Sequence, residues 1–217
     1  MNILFDLDGT LTDSGPGITR CLQHALTRLG RPAPAASALR RFVGPPLHET
    51  FAELLETRDA GVVEGALRAC RELFEETGMF ENEEYPGVLE GLECLSRQGH
   101  RMWVATSKPA IYADRIVDHF GLRRWLQGVH GSELSGGKAD KRRLIRDVMD
   151  LRSLAAGETW VVGDRLHDVR GARANGVKCI GVRWGYGSAE ELRQAEPDHL
   201  VASMAELCEI MGSKGRP

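Results

Sequence analysis

The sequence predicts an α/β fold: a parallel β-sheet covered by helices on both faces, together with a second block made of helices alone. Two observations predict it. Short apolar runs alternate with longer stretches of helical periodicity, and one long interval near the N-terminus breaks this alternation. Strands that alternate with helices need crossover connections, which make the strands parallel and place helices on both faces of the sheet.

The predicted strands are four short apolar runs. Each run is bounded by Gly, Asp, Ser or Thr, and each is too short to be a helix. The runs are residues 3–7, 102–105, 159–162 and 178–182. We interpret them as the buried strands of the sheet.

The predicted core helices carry apolar residues three or four positions apart, which places those residues on one face. Their apolar stripes are Val88, Leu89, Leu92 and Leu95; Ile111, Ile116, Val117 and Phe120; and Leu144, Ile145, Val148 and Met149. Each stripe lies between two predicted strands, where a crossover helix is expected.

Residues 16–80 contain no convincing strand and are interpreted as helices. These helices are predicted at 18–29, 47–55 and 62–74, with Gly- and Pro-rich separators at 30–34 and 44–46. Because the helices stand between the first two strands of the sheet, they are interpreted as an inserted module. The alternative is a large helical crossover that belongs to the main core.

The predicted domain boundaries follow from this interpretation. Residues 1–14 and 86–217 are expected to form the sheet-containing core, and residues 15–85 an inserted all-helical domain. A core assembled from both ends of the chain and a smaller module between them are within ordinary domain anatomy.

Composition excludes several classes of function without naming one. The chain has 217 residues, 42% hydrophobic and 27% charged, which is ordinary for a globular protein that buries its own core. A formal net charge of −3 does not suit a dedicated nucleic-acid binder. The five scattered cysteines, without CxxC spacing, predict reduced thiols in the cytosol. We expect a cytoplasmic protein without a nucleic-acid polymer or a membrane as partner; its oligomeric state is left open.

Two carboxylates follow the first predicted strand, in the string Asp6-Leu7-Asp8-Gly9. Residues two apart on a strand share a face, and ligand sites of open α/β sheets lie outside the carboxyl ends of the strands. Asp6 and Asp8 are therefore predicted to converge on one crevice, where two anions need a cation or a shared proton. Oxygen ligands without His or Cys favour Mg²⁺, and Gly9 allows close approach to a ligand. A solvated turn is the alternative for an isolated pair.

The second predicted strand ends in Thr106-Ser107-Lys108-Pro109. Thr106 offers a hydroxyl to an anionic ligand. Ser107 is predicted to cap the next helix, with Pro109 at its first position, and the positive helix end would then face the site. The alternative is that this segment only caps the next helix and binds no ligand, which would give no role to Thr106 and Lys108.

The longer string DLDGTLTDS, which begins at Asp6, resembles the nucleophile motif of the haloacid dehalogenase superfamily of phosphohydrolases. TSKP at residues 106–109 is similar to the second motif of its phosphoglycolate-phosphatase-like members, and GDRLHDVRGA at residues 163–172 is similar to the fourth motif. The motifs stand in the family's order at predicted strand ends and together cover most of the chain. The resemblance implies a Rossmann-like core with an inserted helical cap of the C1 type.

The resemblance also implies roles for individual residues. Asp6 is expected to be the nucleophile that forms an aspartyl-phosphate, and Asp8 the general acid for the leaving oxygen and then the base for water. Covalent catalysis of this kind divides one hard displacement into two easier ones. Thr106 is expected to act on a phosphoryl oxygen. The substrate-binding residues of the core are predicted to be Gly9, Thr106, Ser107 and Lys108.

The predicted metal site adds a third strand end. Asp164 and Asp168 are four apart, so a loop-to-helix turn can point both inward. The resemblance implies Mg²⁺ bound by Asp6, Asp164 and the backbone carbonyl of Asp8, with Asp168 acting through water or by orienting the other ligands. A metal or acid/base role for His167 is disfavoured, because adjacent helical positions face apart and the carboxylates already suffice.

A lysine is expected to neutralise the phosphoryl group. Lys138 and Lys141 both lie in the segment before the third apolar stripe. In relatives the lysine stands three residues before an apolar pair, and Lys141 has this spacing to Leu144 and Ile145. Lys141 is therefore preferred, and Lys138 remains the alternative.

Two further segments are similar to the phosphoglycolate-phosphatase branch. Arg40-Arg41-Phe42-Val43-Gly44-Pro45-Pro46-Leu47 resembles a cap loop, and we predict that Arg41 or its neighbour Arg40 meets the non-phosphate end of the substrate. The alternative is a pair of solvated helix charges. Trp184-Gly185-Tyr186-Gly187 supports the branch but not the substrate.

The predicted function is therefore a Mg²⁺-dependent phosphate monoester hydrolase, phosphoglycolate-phosphatase-like, acting on a small phosphorylated metabolite. A 5′-nucleotidase, a sugar-phosphate phosphatase or a phosphomutase of the same superfamily is the alternative within the class. A phosphate-binding signalling module is the non-enzymatic alternative, since such modules also group Asp, Thr and Lys on a parallel sheet.

Overall fold

The computed structural model describes residues 1–134, 137 and 139–214. Within this part the chain divides into two compact units: Met1–Thr12 with the chain from Glu84 onward, and Asp13–Glu83. The first unit contains the large β-sheet, and the second is helical. The domain boundaries expected at 14/15 and 85/86 stay a prediction. Among the described helices, none has both the length and the apolar character that a membrane crossing requires.

The strands confirm the predicted α/β class. They are β1 (Asn2–Phe5), β2 (Thr12–Asp13), β3 (Glu83–Glu84), β4 (Arg101–Pro109), β5 (Leu126–Ser132), β6 (Thr159–Gly163), β7 (Lys178–Val182) and β8 (His199–Val201). Across the described residues, six strands form one sheet in the order β5-β4-β1-β6-β7-β8, and every neighbouring pair is parallel. β2 pairs with β3 in a separate sheet. Sequence patterns did not predict β5 and β8.

The helices connect and cover these strands. They are α1 (Gly15–Arg28), α2 (Ala36–Leu39), α3 (Leu47–Leu54), α4 (Ala60–Glu76), α5 (Val88–Arg97), α6 (Ala110–His119), α7 (Lys141–Arg152), α8 (Leu166–Ala174), α9 (Ala189–Ala195) and α10 (Met204–Lys214). Single 3₁₀ turns occur at Arg40–Phe42, Gly78–Phe80, Leu122–Trp125 and Ala156–Glu158.

The main core lies on β1, whose four residues are all buried. Leu4 belongs to an apolar cluster with Trp103 on β4 and Val161 on β6, and α7 and α8 close this cluster with Ile145 and Val169. The side chains before and after Leu4 point to the opposite face, because side chains alternate along a strand. Burial on both faces explains why β1 is apolar throughout.

The sheet order brings three strand ends together. β1 lies between β4 and β6, with Phe5 in register with both Val104 and Val162. The backbone N–H of Asp6 donates to Val162 O at 2.8 Å, so the ladder to β6 continues to the first residue after β1. The loops that follow β1 and β6 therefore start side by side, next to the last part of β4.

One local prediction is wrong. Ser107 does not cap a helix, because β4 runs on to Pro109, which is in register with Ser132 of β5. The next helix, α6, begins at Ala110, and Pro109 is its N-cap residue rather than its first helical residue. Pairing with β5 keeps this segment extended, and β5 was not foreseen from the sequence.

The helical unit is organised around α1 and α4, which pack against each other. Their buried faces include Leu22 of α1 and Ala66 of α4. A side chain at Gly17 would place Cβ 2.0 Å from the backbone oxygen of Gly78, so a glycine is needed for this close approach. Asp59 caps α4 by accepting hydrogen bonds from the first turn.

Candidate active site

Asp6 stands at the centre of the carboxyl edge of the sheet. It directly follows β1, and its Oδ1 accepts a hydrogen bond from the backbone N–H of Leu7 at 2.8 Å. Nζ of Lys141 lies 2.9 Å from the same oxygen. The Asp6 carboxylate is therefore held in one orientation by its own loop and by a cation from α7.

Asp164 and Asp168 come to Asp6 from the end of β6. One carboxylate oxygen of each of these three residues lies within 4.8 Å of the other two. Asp168 accepts from the backbone N–H of Arg165 at 3.1 Å, which closes the turn into α8. Gly163 makes room for it, since a Cβ there would lie 2.1 Å from Asp168 Cγ.

Lys141 joins two of these carboxylates. Its Nζ lies 2.9 Å from Asp6 Oδ1 and 2.8 Å from Asp168 Oδ1, and it donates to the backbone oxygen of Ala105 at 2.9 Å. Burial by itself lowers the pKa of Lys141, but the carboxylates of Asp168 and Asp6 outweigh burial and raise that pKa above its ordinary value. Lys141 is therefore charged in the site. Lys138, its alternative in the sequence, lies outside the described residues.

The carboxyl group of Asp164 is costly to ionise in this environment. Burial, followed by the charges of Asp168 and Asp6, raises the pKa of Asp164 well above its ordinary value. Asp164 Oδ1 is buried and has no hydrogen-bond donor among the described residues. An orphaned oxygen beside two other carboxylates suits a hard divalent cation. The residues present therefore fit Mg²⁺.

The loop after β7 orients Asp164. The backbone N–H of Tyr186 donates to Asp164 Oδ2 at 2.7 Å. Both neighbours of Tyr186 must be small: a Cβ on Gly185 would lie 2.3 Å from Asp164 Cβ, and a Cβ on Gly187 would lie 2.0 Å from Asp164 O. The indole N–H of Trp184 donates to Thr10 O at 3.0 Å, which ties the same loop to the segment after Asp6. These contacts engage Oδ2 and the backbone of Asp164, so that Oδ1 could serve as a ligand for a cation.

Asp8 does not join the carboxylate cluster with its side chain. Its two oxygens lie 3.0 and 2.8 Å from Nζ of Lys108, and both residues are buried. The turn after Asp8 depends on Gly9, whose φ of +85° disfavours other residues and whose Cβ would meet Asp164 Oδ2 at 2.3 Å. The contact between Asp8 and Lys108 was not foreseen, because no sequence spacing relates them.

Thr106 and Ser107 occupy the third strand end. Thr106 is buried, and its Oγ1 accepts from the backbone N–H of Lys108 at 3.2 Å. Ser107 Oγ donates to Ala139 O at 2.8 Å, so this hydroxyl braces the segment before α7. Thr106 thus lies one strand away from Asp6, while the Ser107 hydroxyl already has a backbone partner.

The other residues singled out in the sequence are exposed. His167 is exposed on α8. In the helical unit, Arg41 forms an ion pair in which its Nη2 lies 2.7 Å from Oε1 of Glu53. Nη2 of Arg40 lies 3.5 Å from Oδ2 of Asp13. The substrate contact predicted for Arg41 or Arg40 stays a prediction.

The fold and this arrangement define a class of protein. Residues 3–182 match the family described as haloacid dehalogenase-like hydrolase. This match spans most of the chain, so the chain belongs to the haloacid dehalogenase-like hydrolases, as its motifs had indicated.

Several of the similar proteins are named as phosphatases or as a nucleotidase. A 5′-nucleotidase of Pseudomonas aeruginosa is 46% identical over 98% of this chain and 96% of its own length. A phosphoglycolate phosphatase of Pseudomonas fluorescens is 30% identical over 94% of this chain and 77% of its own. The crystal structure of a predicted phosphatase from Clostridium acetobutylicum superposes with a TM-score of 0.92 at 38% identity, covering 97% of both chains. The chain is a phosphatase of this superfamily, and the signalling-module alternative is set aside.

Proposed function

We propose that the protein is a Mg²⁺-dependent phosphomonoesterase that works through a phosphorylated Asp6. The single observation that carries this proposal is the cluster of Asp6, Asp164 and Asp168 at the carboxyl edge of the sheet, with Lys141 in contact with Asp6 and Asp168. A nucleophilic carboxylate, an orphaned carboxylate oxygen and a buried cation are the parts that phosphoryl transfer needs in one place.

The reaction divides into two displacements. An oxygen of Asp6 attacks phosphorus, and the bond from phosphorus to the ester oxygen breaks as Asp8 gives its proton to that oxygen. Asp8 then takes a proton from a water molecule whose oxygen attacks the phosphorus of phospho-Asp6. Phosphate leaves, Asp6 is regenerated, and Asp8 again carries a proton for the next turnover.

The remaining residues of the site would stabilise the negative charge of the phosphoryl group and of the carboxylates. When bound, Mg²⁺ would offset the negative charge of the phosphoryl oxygens and of the carboxylates. Asp6, Asp164 and the backbone carbonyl of Asp8 would hold it, with Asp168 fixing Lys141 beside Asp6. The fixed positive charge of Lys141 would stabilise the negative charge of the phosphoryl group, and the hydroxyl of Thr106 would donate a hydrogen bond to a phosphoryl oxygen.

For the substrate we favour nucleoside 5′-monophosphates. The similar protein with 46% identity over nearly full length is a 5′-nucleotidase, whereas the phosphoglycolate phosphatase is 30% identical. 2-Phosphoglycolate is the second candidate, favoured by the TSKP and WGYG motifs of that branch. We further propose that Asp13–Glu83 acts as a substrate-selecting cap and that the enzyme works in the cytosol.

The test is hydrolysis of p-nitrophenyl phosphate with Mg²⁺ and with excess EDTA. Wild type is compared with Asp6→Asn and with Asp150→Asn, a control at an exposed position on α7. We expect EDTA to abolish activity, Asp6→Asn to lose roughly 10⁴-fold or more in kcat, and Asp150→Asn to match wild type. Activity without metal, or full activity of Asp6→Asn, contradicts the mechanism.

A panel of nucleoside monophosphates and 2-phosphoglycolate then ranks the substrates by kcat/KM.

A further inference from the structure

Lys108 is a buried cation whose ammonium group lies on Asp8. Its Nζ is 2.8 Å from one oxygen of Asp8 and 3.0 Å from the other. The two side chains are 6% and 10% exposed, so water screens this pair only weakly. A charged contact to both oxygens holds the position of the carboxylate.

The backbone of Lys108 is itself fixed. Its N–H donates to Thr106 Oγ1 at 3.2 Å. On the other side β5 packs against it, and a Cβ on Gly131 would lie 2.4 Å from Lys108 O. The backbone of Lys108 therefore belongs to a strand of the sheet. Because this strand is held by its neighbours, the ammonium group of Lys108 can move only a short distance.

The two buried lysines of the site have separate partners. Lys141 contacts Asp6 and Asp168, whereas Lys108 contacts Asp8. A second cation on the phosphoryl group is therefore not needed to explain why Lys108 is buried. The side chain of Asp8 lies outside the Asp6–Asp164–Asp168 cluster, and Lys108 is what holds it there.

We propose that Lys108 is a positioning residue that holds Asp8 in line for proton transfer to the leaving oxygen, rather than a ligand of the substrate phosphate. The inference rests on the proposed function. In the first displacement one proton moves from Asp8 to the ester oxygen, and in the second one proton moves from water to Asp8. Lys108 takes no part in either proton transfer and donates a hydrogen bond to whichever Asp8 oxygen is unprotonated.

The test uses the leaving group. p-Nitrophenolate departs as a stable anion, whereas the alkoxide of a nucleoside 5′-monophosphate must be protonated as it leaves. With the alkyl ester, Lys108→Met is expected to lower kcat by about 10²-fold, on the scale of general-acid catalysis, with KM little changed. With p-nitrophenyl phosphate the loss should be much smaller, as in Asp8→Asn. Lys178→Met, at an exposed lysine of β7, is the matched control and should match wild type with both esters.

A double variant keeps the test decisive. Removing Lys108 alone leaves a buried carboxylate without its partner, whereas Asp8→Asn with Lys108→Met removes both charges and avoids that penalty. The double variant is expected to be no slower than Asp8→Asn alone. Additive losses, or a rise in KM for both esters at unchanged kcat, would show that Lys108 binds the phosphate and would overturn the proposal. Failure of the aspartyl-phosphate mechanism is seen separately, as retained activity of Asp6→Asn.

Discussion

Nζ of Lys141 lies 2.9 Å from Oδ1 of Asp6, and this contact joins the first residue of α7 to the first residue after β1. The same ammonium group also meets Asp168. The positive charge of Lys141 therefore offsets the repulsion between the carboxylates of Asp6 and Asp168. From this position we predict that both the stability and the chemistry of the site depend on Lys141.

Replacing Lys141 is expected to harm activity and stability together. Lys141→Met leaves the buried carboxylates of Asp6 and Asp168 uncompensated, which in a buried pair lowers the free energy of unfolding by about 3–5 kcal/mol. kcat/KM should fall by roughly 10²–10³-fold, the scale for losing a fixed electrostatic donor. Urea unfolding in EDTA and steady-state kinetics measure the two effects. Arg143→Met, on the exposed side of α7, is the control; equal effects in both variants contradict the assignment.

Mg²⁺ is expected to stabilise the folded protein through Asp164. A ligand that binds only the folded state raises its stability by about 2.7 kcal/mol at 100 times its dissociation constant. Asp164→Asn removes one charge from the cluster and should reduce the Mg²⁺-dependent rise in Tm. Thermal melting with and without Mg²⁺ measures this without any substrate. An unchanged Mg²⁺ response in Asp164→Asn shows that the cation binds elsewhere.

The glycine before Tyr186 is expected to matter for metal affinity. A Cβ on Gly185 would lie 2.3 Å from both Asp164 Cβ and Gly9 O, so Gly185→Ala must displace the loop that orients Asp164. Loss of such outer support typically weakens metal binding 10–100-fold. Isothermal titration with Mg²⁺ measures the affinity. Gly157→Ala is the matched control, because a Cβ there meets no atom within 4 Å; similar affinities for the two variants contradict the prediction.

Arg41 is expected to act on substrate selection and not on chemistry. It is exposed, and its ion pair with Glu53 is also exposed, so its removal should change stability by less than about 1 kcal/mol. Arg41→Ala should change the ratio of kcat/KM between nucleotides and 2-phosphoglycolate while kcat for p-nitrophenyl phosphate stays the same. Arg28→Ala, from another exposed ion pair of this unit, is the control. An unchanged ratio removes Arg41 from the substrate site.

The buried His100 is expected to make stability depend on pH. Burial, followed by the charge of the N-terminus, lowers the pKa of His100 below its ordinary value of 6.5. The unfolded chain then binds a proton more readily than the folded chain, so stability is present above pH 6.5 and is lost as pH falls below it. Urea unfolding at pH 7.5 and 5.5 should show a smaller loss in His100→Gln than in wild type. Equal losses assign the pH dependence to other groups.

The fold class was predictable because strands buried on both faces are apolar throughout and their connecting helices are periodic. β1 and β6 illustrate this, since every residue of each is buried. β5 and β8 were missed for the opposite reason. β5 is mostly half-buried, with its glycines and His130 interrupting any apolar run, and β8 has only three residues. Their place in the sheet depends on pairing with neighbours rather than on their own pattern.

The sequence by itself determined which residues follow each strand, and the resemblance of its motifs implied that Asp6 and Asp164 would share a metal site, with Asp168 acting through water or by orienting the other ligands. Only the tertiary structure decided which donor each carboxylate receives. The pairing of β4 with β5 extends the chain to Pro109 and carries Lys108 to Asp8, while α7 carries Lys141 to Asp6 and the loop after β7 carries the N–H of Tyr186 to Asp164. Such contacts join residues far apart in the chain, and their geometry depends on strand register and close packing, which no local spacing records.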